Sequence, residues 1–225
     1  ADFQHPISEA GAIVSLSQQL LALTSPGVPD IYQGDELWNF SLVDPDNRRP
    51  VDYTKRIETL HLMHQTRSAE QEDTDWMEAL TKPIDTGNAK CYLIWKCLDF
   101  RRQHRELFLC GEYRPLSVTG DRAEHIVSFA RTYQGHTAIV VVPRLLAGAI
   151  GLAGLSSGTQ EKMEFWGNTE VALPMPHNGT ESFDHTNVLT GDKLDIKNNR
   201  STLKLPISTL FSRFPVALIH QYGAR

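Results

Sequence analysis

At 225 residues the chain is long enough for one large domain or two small ones with a real core. Hydrophobic residues make up 40% and charged residues 22%, which excludes collagen-like and disordered classes without naming a function. The net charge is −5 with Lys and Arg scattered, so there is no basic stripe for a nucleic-acid backbone and no such partner is expected.

Cys91, Cys97 and Cys110 are odd in number and lack the spacing of metal ligands. They read as reduced thiols, which points to a cytoplasmic setting. The opening Ala1-Asp2-Phe3-Gln4-His5 is polar and unlike a signal peptide. The apolar stretch from Thr137 to Leu155 is interrupted by Pro143 and Arg144, so it reads as a buried strand and then a Gly-rich loop, not a membrane span. Asn178-Gly179-Thr180 fits a glycosylation sequon, read as a chance match in a reducing compartment.

Along the chain, Ile13, Val14, Leu16, Leu20, Leu21 and Leu23 recur at helical spacing and predict a helix over 8–24. Ser25-Pro26-Gly27 stops it. Val28 to Tyr32 then reads as a short buried strand, which makes this region α/β in character. Residues 33–53 lack periodicity and form a long loop that Trp38, Phe40, Leu42 and Val43 should anchor. A helix is expected over 54–63, and residues 65–75 are polar and exposed. Asn88 is the expected N-cap of a helix reaching Glu106, with Arg101, Arg102 and Arg105 favouring its C-terminal end.

After Gly111 short β-branched and aromatic runs alternate with turn signals. Strands are expected at 113–118, 126–132, 137–143, 187–189, 202–205 and 216–222. Thr119-Gly120-Asp121 and Gln134-Gly135 read as hairpin connections. The map is therefore α/β to about residue 110, then an antiparallel β sandwich over 111–225. One strand between helices cannot make a sheet, so the first 110 residues read as the end of a larger α/β domain or as a helical domain. The initial Ala agrees with a segment cut from a longer chain.

The loop from Gln33 to Tyr53 is the best candidate for chemistry. It sets carboxylates, amides and guanidinium groups beside aromatic rings, as a sugar site requires. The competing reading is a solvated loop held by local salt bridges. Asp35 and Glu36 are adjacent in sequence and point different ways, unlike the paired carboxyls of a retaining glycosidase, which sit about 5–5.5 Å apart. One of them is expected to hold an Arg. Glu58, His61 and His64 share a helical face but lack ligands from other helices, so amphipathic surface is expected and no metal. Gly148 to Gly158 lacks the Lys of a phosphate loop, and no Gly-x-Ser-x-Gly elbow occurs. Trp76, Trp95 and Trp166 read as core. No cofactor is expected.

Two stretches carry a resemblance. Residues 21–38, Leu-Ala-Leu-Thr-Ser-Pro-Gly-Val-Pro-Asp-Ile-Tyr-Gln-Gly-Asp-Glu-Leu-Trp, resemble the last barrel strand of the α-amylase superfamily. Residues 41–53, Ser-Leu-Val-Asp-Pro-Asp-Asn-Arg-Arg-Pro-Val-Asp-Tyr, resemble the maltooligosyltrehalose synthase family in particular. Gly111-Glu-Tyr-Arg-Pro-Leu116, His125-Ile-Val-Ser-Phe-Ala-Arg131 and Phe214-Pro-Val-Ala-Leu218 add support. The resemblance implies the C-terminal end of a TIM barrel, its last strand and flanking helices over residues 1–110, followed by a C-terminal antiparallel β-sandwich domain over 111–225. It implies a maltooligosaccharide substrate, whose reducing-end α-1,4 bond becomes an α,α-1,1 bond. The family's nucleophilic Asp and acid/base Glu come from motifs absent here, so no catalytic residue is assigned and the chain alone is expected to be inactive. Tyr32, Gln33, Asp35, Asp46, Asn47, Arg48 and Arg49 are the implied substrate-shell or loop-ordering residues, with an Arg–carboxylate pair fixing the loop. A partial barrel would also self-associate through exposed apolar surface. The alternative from a different class is a carbohydrate-binding β domain with a helical extension.

Overall fold

The structure, a computed structural model, describes residues 4–68, 74–81, 86–146, 164–175, 183–194, 196 and 203–223. The Gly-rich loop 148–158 and the sequon at Asn178 lie outside them.

Helix α1 (Gln4–Thr24) buries Ile13, Leu16, Leu20 and Leu23 on one stripe. Helices α2 (Tyr53–Ser68), α3 (Thr74–Thr81) and α4 (Asn88–Gln103) follow. α4 is buried on nearly all sides, with Leu93, Ile94 and Cys97 inside, because α1, α2 and α3 all pack against it. The expected cap is displaced by one residue: Gly87, at φ 76°, holds the cap position and Asn88 is the first helical residue. A Cβ at Gly87 would lie 2.7 Å from the Trp38 backbone nitrogen, so only glycine admits that close approach. The expected helix to Glu106 breaks at His104 (φ −119°, ψ 47°), and the short helix α5 (Arg105–Leu109) resumes after it.

The expected strand at Val28–Tyr32 does not form. The segment is irregular, with Val28 92% exposed and Tyr32 53% exposed. A strand needs a neighbour to satisfy its backbone, and Pro29 removes one donor. Among the described residues every strand follows Gly111, and the regular elements before it are helices.

Those strands make two antiparallel sheets. β1 (Glu112–Pro115), β3 (Ile126–Tyr133), β4 (His136–Pro143), β6 (Phe183–Asn187) and β8 (Ala217–Gly223) form the larger, in the order β1-β3-β4-β8-β6. β2 (Val118–Thr119), β5 (Glu170–Leu173) and β7 (Leu203–Pro206) form the smaller, in the order β2-β5-β7. The expected single strand 113–118 is thus split. Thr119-Gly120-Asp121 is not a hairpin, since β2 and β3 belong to different sheets. Gln134-Gly135 does make the tight hairpin between β3 and β4, with φ of 46° and 82°. The expected strand at 187–189 lies earlier, ending at Asn187, where the chain turns.

Side-chain alternation sorts the larger sheet into two faces. Phe129, Ala138, Val140, Val142, Val216 and Leu218 join the core made by the helices. Ala130, Ile139, Val141, Ala217 and Ile219 join the core shared with the small sheet and Trp166. β4 is therefore buried on both sides and reads as one continuous apolar run.

Arg131 fastens helices to sheet. It is 2% exposed and donates to Thr24 O, Phe108 O and Gly111 O, at the ends of α1 and α5. Arg101 donates to Leu23 O at 2.7 Å, so two guanidinium groups satisfy carbonyls that the end of α1 would leave open. Tyr92 OH donates to Leu189 O at 2.6 Å and ties α4 to the turn after β6. Among the described residues no helix is long and apolar enough to cross a membrane.

Candidate functional site: the loop between α1 and α2

The long loop is anchored at Leu37, which is 4% exposed and part of the core, with Trp38 packed beside it. Lys90 of α4 sets its ammonium 5.7 Å from the Trp38 ring. Burial pushes that ammonium below the usual lysine range, and the charges of Asp35 and Glu36 oppose the shift.

Around this anchor, Arg56 of α2 acts as a hub. Its Nε donates to Glu36 Oε2 at 2.9 Å and its Nη1 to Asp52 O at 2.9 Å, while Nη2 donates to Gly34 O. Gly34 has φ 97°, and a Cβ there would press on Val51 at 3.0 Å. Asp52 caps α2 by accepting from the Lys55 N–H at 3.0 Å. Gln33 Nε2 donates to Tyr53 OH, and Asp35 accepts from Asn39 Nδ2 at 2.9 Å. Glu36 thus holds an arginine while Asp35 accepts from Asn39.

Further on, a 3₁₀ turn (Asp46–Arg48) follows the cis peptide Asp44–Pro45. Arg48 grips both oxygens of Asp44, its Nη2 lying 2.8 Å from Oδ2. Arg49 pairs with Asp46 Oδ1, and Asp46 Oδ2 accepts from the Leu42 N–H at 2.8 Å. That backbone donor, then Arg49, holds the Asp46 carboxyl below the usual carboxylate range. An acid so held stays ionised and accepts hydrogen bonds; it does not serve as a proton donor near neutral pH.

The seven implied residues therefore divide. Asp46 and Arg49 form one pair, Arg48 pairs with Asp44, Gln33 with Tyr53, and Asp35 with Asn39. Tyr32 is exposed, and Asn47 Oδ1 is buried without a hydrogen-bond partner among the described residues. Arg56 and Asn39 were not singled out from sequence. Arg56 could have been found from its position four residues after the capping Asp52, on the first turn of α2. The loop offers a fixed surface of donors and acceptors beside exposed Phe40, Leu42 and Val43, 87%, 76% and 85% exposed. It carries no nucleophile–base pair.

On α2, Glu58, His61 and His64 do not gather as ligands among the described residues, and His64 packs on Trp95 with ring centroids 4.1 Å apart. A different set of histidines does converge: His104, His136 and His220 offer ring nitrogens within 4.8 Å of one another.

No family model matches the chain. Over 131 residues, 58% of its length, the chain is 42% identical to a protein of Mycobacterium tuberculosis strain H37Rv provisionally named a maltooligosyl trehalose synthase, of which the match covers 14%. The maltooligosyltrehalose synthase of Arthrobacter ramosus matches in fold with a TM-score of 0.65 and 31% identity, over 96% of this chain and 22% of that one. A noncanonic maltogenic α-amylase of Thermotoga neapolitana shares the fold alone, with a TM-score of 0.52 and 15% identity over 94% of this chain and 36% of that one. The chain is related in sequence and in fold to the maltooligosyltrehalose synthases, and it spans 22% of the length of the solved Arthrobacter member.

Proposed function

We propose that the chain is the C-terminal part of a maltooligosyltrehalose synthase and supplies one wall of its substrate pocket. The reading divides it into residues 1–110, the end of the catalytic barrel with its long loop, and residues 111–225, a C-terminal β domain. The whole enzyme would turn the reducing-end α-1,4 bond of a maltooligosaccharide into an α,α-1,1 bond by intramolecular transglucosylation, in the cytoplasm. Its nucleophile and acid/base would come from elsewhere in the enzyme. This segment would supply Tyr32, Gln33, Asp35, Asp46, Asn47, Arg48 and Arg49 to bind substrate or to order the loop. The observation that carries the reading is the 42% identity over 131 residues to a relative provisionally named a maltooligosyl trehalose synthase.

The loop chemistry supports it. Ion pairs that fix Asp44, Asp46 and Glu36 pre-organise hydrogen-bonding groups before a sugar arrives, which lowers the ordering cost of binding. Asn47 Oδ1 has no hydrogen-bond partner among the described residues and would accept from a hydroxyl that reached it. Exposed Val28, Phe40, Leu42 and Val43 are suited to packing against further barrel structure.

The isolated chain, incubated with maltopentaose, is expected to give no trehalosyl product and to scatter light as species larger than its 25.3 kDa monomer. Trehalosyl product from the isolated chain would overturn the dependence on other segments. A monodisperse monomer at high concentration would overturn self-association.

A further inference from the structure

His104, His136 and His220 lie far apart in sequence and meet at one end of the larger sheet. His104 sits where α4 breaks before α5. His136 opens β4 directly after the tight turn, and His220 lies near the end of β8. The register pairs His136 with Tyr222 and Ala138 with His220. The two imidazoles are thus diagonal neighbours on one face, the face that carries Ala138 and Leu218 toward the helices. His104 comes down on them from the helix layer, its ring centroid 4.4 Å from that of His220 and 5.4 Å from that of His136.

The nitrogens converge. His136 Nδ1 and His220 Nε2 are 3.1 Å apart, and one nitrogen from each of the three rings lies within 4.8 Å of the others. A tetrahedral zinc ion with Zn–N bonds of about 2.0–2.1 Å spaces its ligand atoms roughly 3.4 Å apart. The closest pair is already near that spacing. The rings line a cleft of about 910 Å³ that Asp184 and Tyr222 also line. Asp184 stands opposite Tyr222 in the ladder, on the same face as the histidines, and is exposed. A water can complete four-fold coordination.

Burial disfavours the charged form of the His220 and His104 rings. Burial pushes the His220 imidazole down to about 3, with His104 and His136 adding to the effect. Burial, then the neighbouring His136, lowers His104 as well. Aromatic packing on Phe100 accounts for the position of His104 and His220, and a hydrogen bond can join His136 to His220, but neither brings the third nitrogen, that of His104, to the same point.

We propose that His104, His136 and His220 form a binding site for a divalent transition-metal ion of the zinc type, with water in the fourth position. Such an ion would pin the break after α4 to the β4–β8 ladder. It would stabilise the fold by mass action.

The test is a competition titration of the metal-stripped 225-residue chain with Zn2+ against a chromogenic chelator, repeated with Co2+ to read coordination from its visible absorption. The expected result is one ion per chain at micromolar affinity or tighter, a tetrahedral Co2+ spectrum and a raised melting temperature. His136→Ala, at an exposed position, should weaken binding more than about tenfold, the lower range even for outer-shell changes. His104→Gln should do the same, and His61→Ala should leave it unchanged; circular dichroism checks that each variant is folded. Absence of stoichiometric binding, or folded His136→Ala and His104→Gln chains that bind like the parent, would overturn the site.

Discussion

Arg131 joins the ends of two helices to the larger sheet from a buried position. Its guanidinium serves carbonyls from α1, α5 and Gly111 inside the core. Arg131→Met keeps the apolar stem but strands three acceptors, each costing about 1–3 kcal/mol when buried. We expect a loss of about 3 kcal/mol or more in urea denaturation; a loss below about 1 kcal/mol would show that water replaces the guanidinium. His220 sets a pH dependence at the same scale. Its folded-state pKa lies well below the unfolded value, so the unfolded chain binds more protons between roughly pH 3 and 6.5. The neutral ring's contribution is complete above about pH 6.5 and is lost as pH falls toward 3. His220→Gln should flatten the fall in stability between those values, and an unchanged slope would assign the acid sensitivity to other groups.

At the level of elements, two glycines separate backbone need from helix propensity. Gly87→Ala places a methyl group against the Trp38 and Leu37 backbone and keeps a left-handed φ, a cost of about 1–2 kcal/mol from conformation alone. Gly11 in α1 faces open space, so Gly11→Ala should be neutral or stabilise by up to about 1 kcal/mol. Proteolysis of the loop near Trp38 should accelerate only in the first variant; equal rates would mean that α4 does not hold the loop at Gly87. The same contrast explains what the sequence made legible. α1, β3, β4 and β8 followed from apolar periodicity and the Gln134-Gly135 turn, which are local signals. The strand expected at Val28–Tyr32 failed because pairing depends on a neighbour that local sequence does not reveal. β5 was missed because Glu170–Leu173 is short and its partner Leu203–Pro206 is distant. In the loop, Asp46, Arg48 and Arg49 were readable as a charged cluster, and Arg48 with Asp44 as a bidentate pair only from coordinates. The histidine cluster was invisible because its members are dispersed, His136 and His220 being 84 residues apart.

For the molecule as a whole, helices and the larger sheet share one core, and that sheet shares a second core with the smaller one. The ordered loop thus rests on a scaffold that crosses Gly111, so pocket geometry would depend on both halves of the chain. The measurement that tests this most directly is trehalosyl product formation from maltopentaose by a chimera. In it, this chain replaces the matching segment of the Arthrobacter ramosus synthase, which its fold matches over 96% of its length. The account predicts product from the chimera and a loss of at least about tenfold in kcat/KM on Asp46→Ala, roughly the 1.4 kcal/mol of one lost charge-assisted hydrogen bond. A folded chimera that forms no product, or one whose Asp46→Ala variant keeps full kcat/KM, would contradict it.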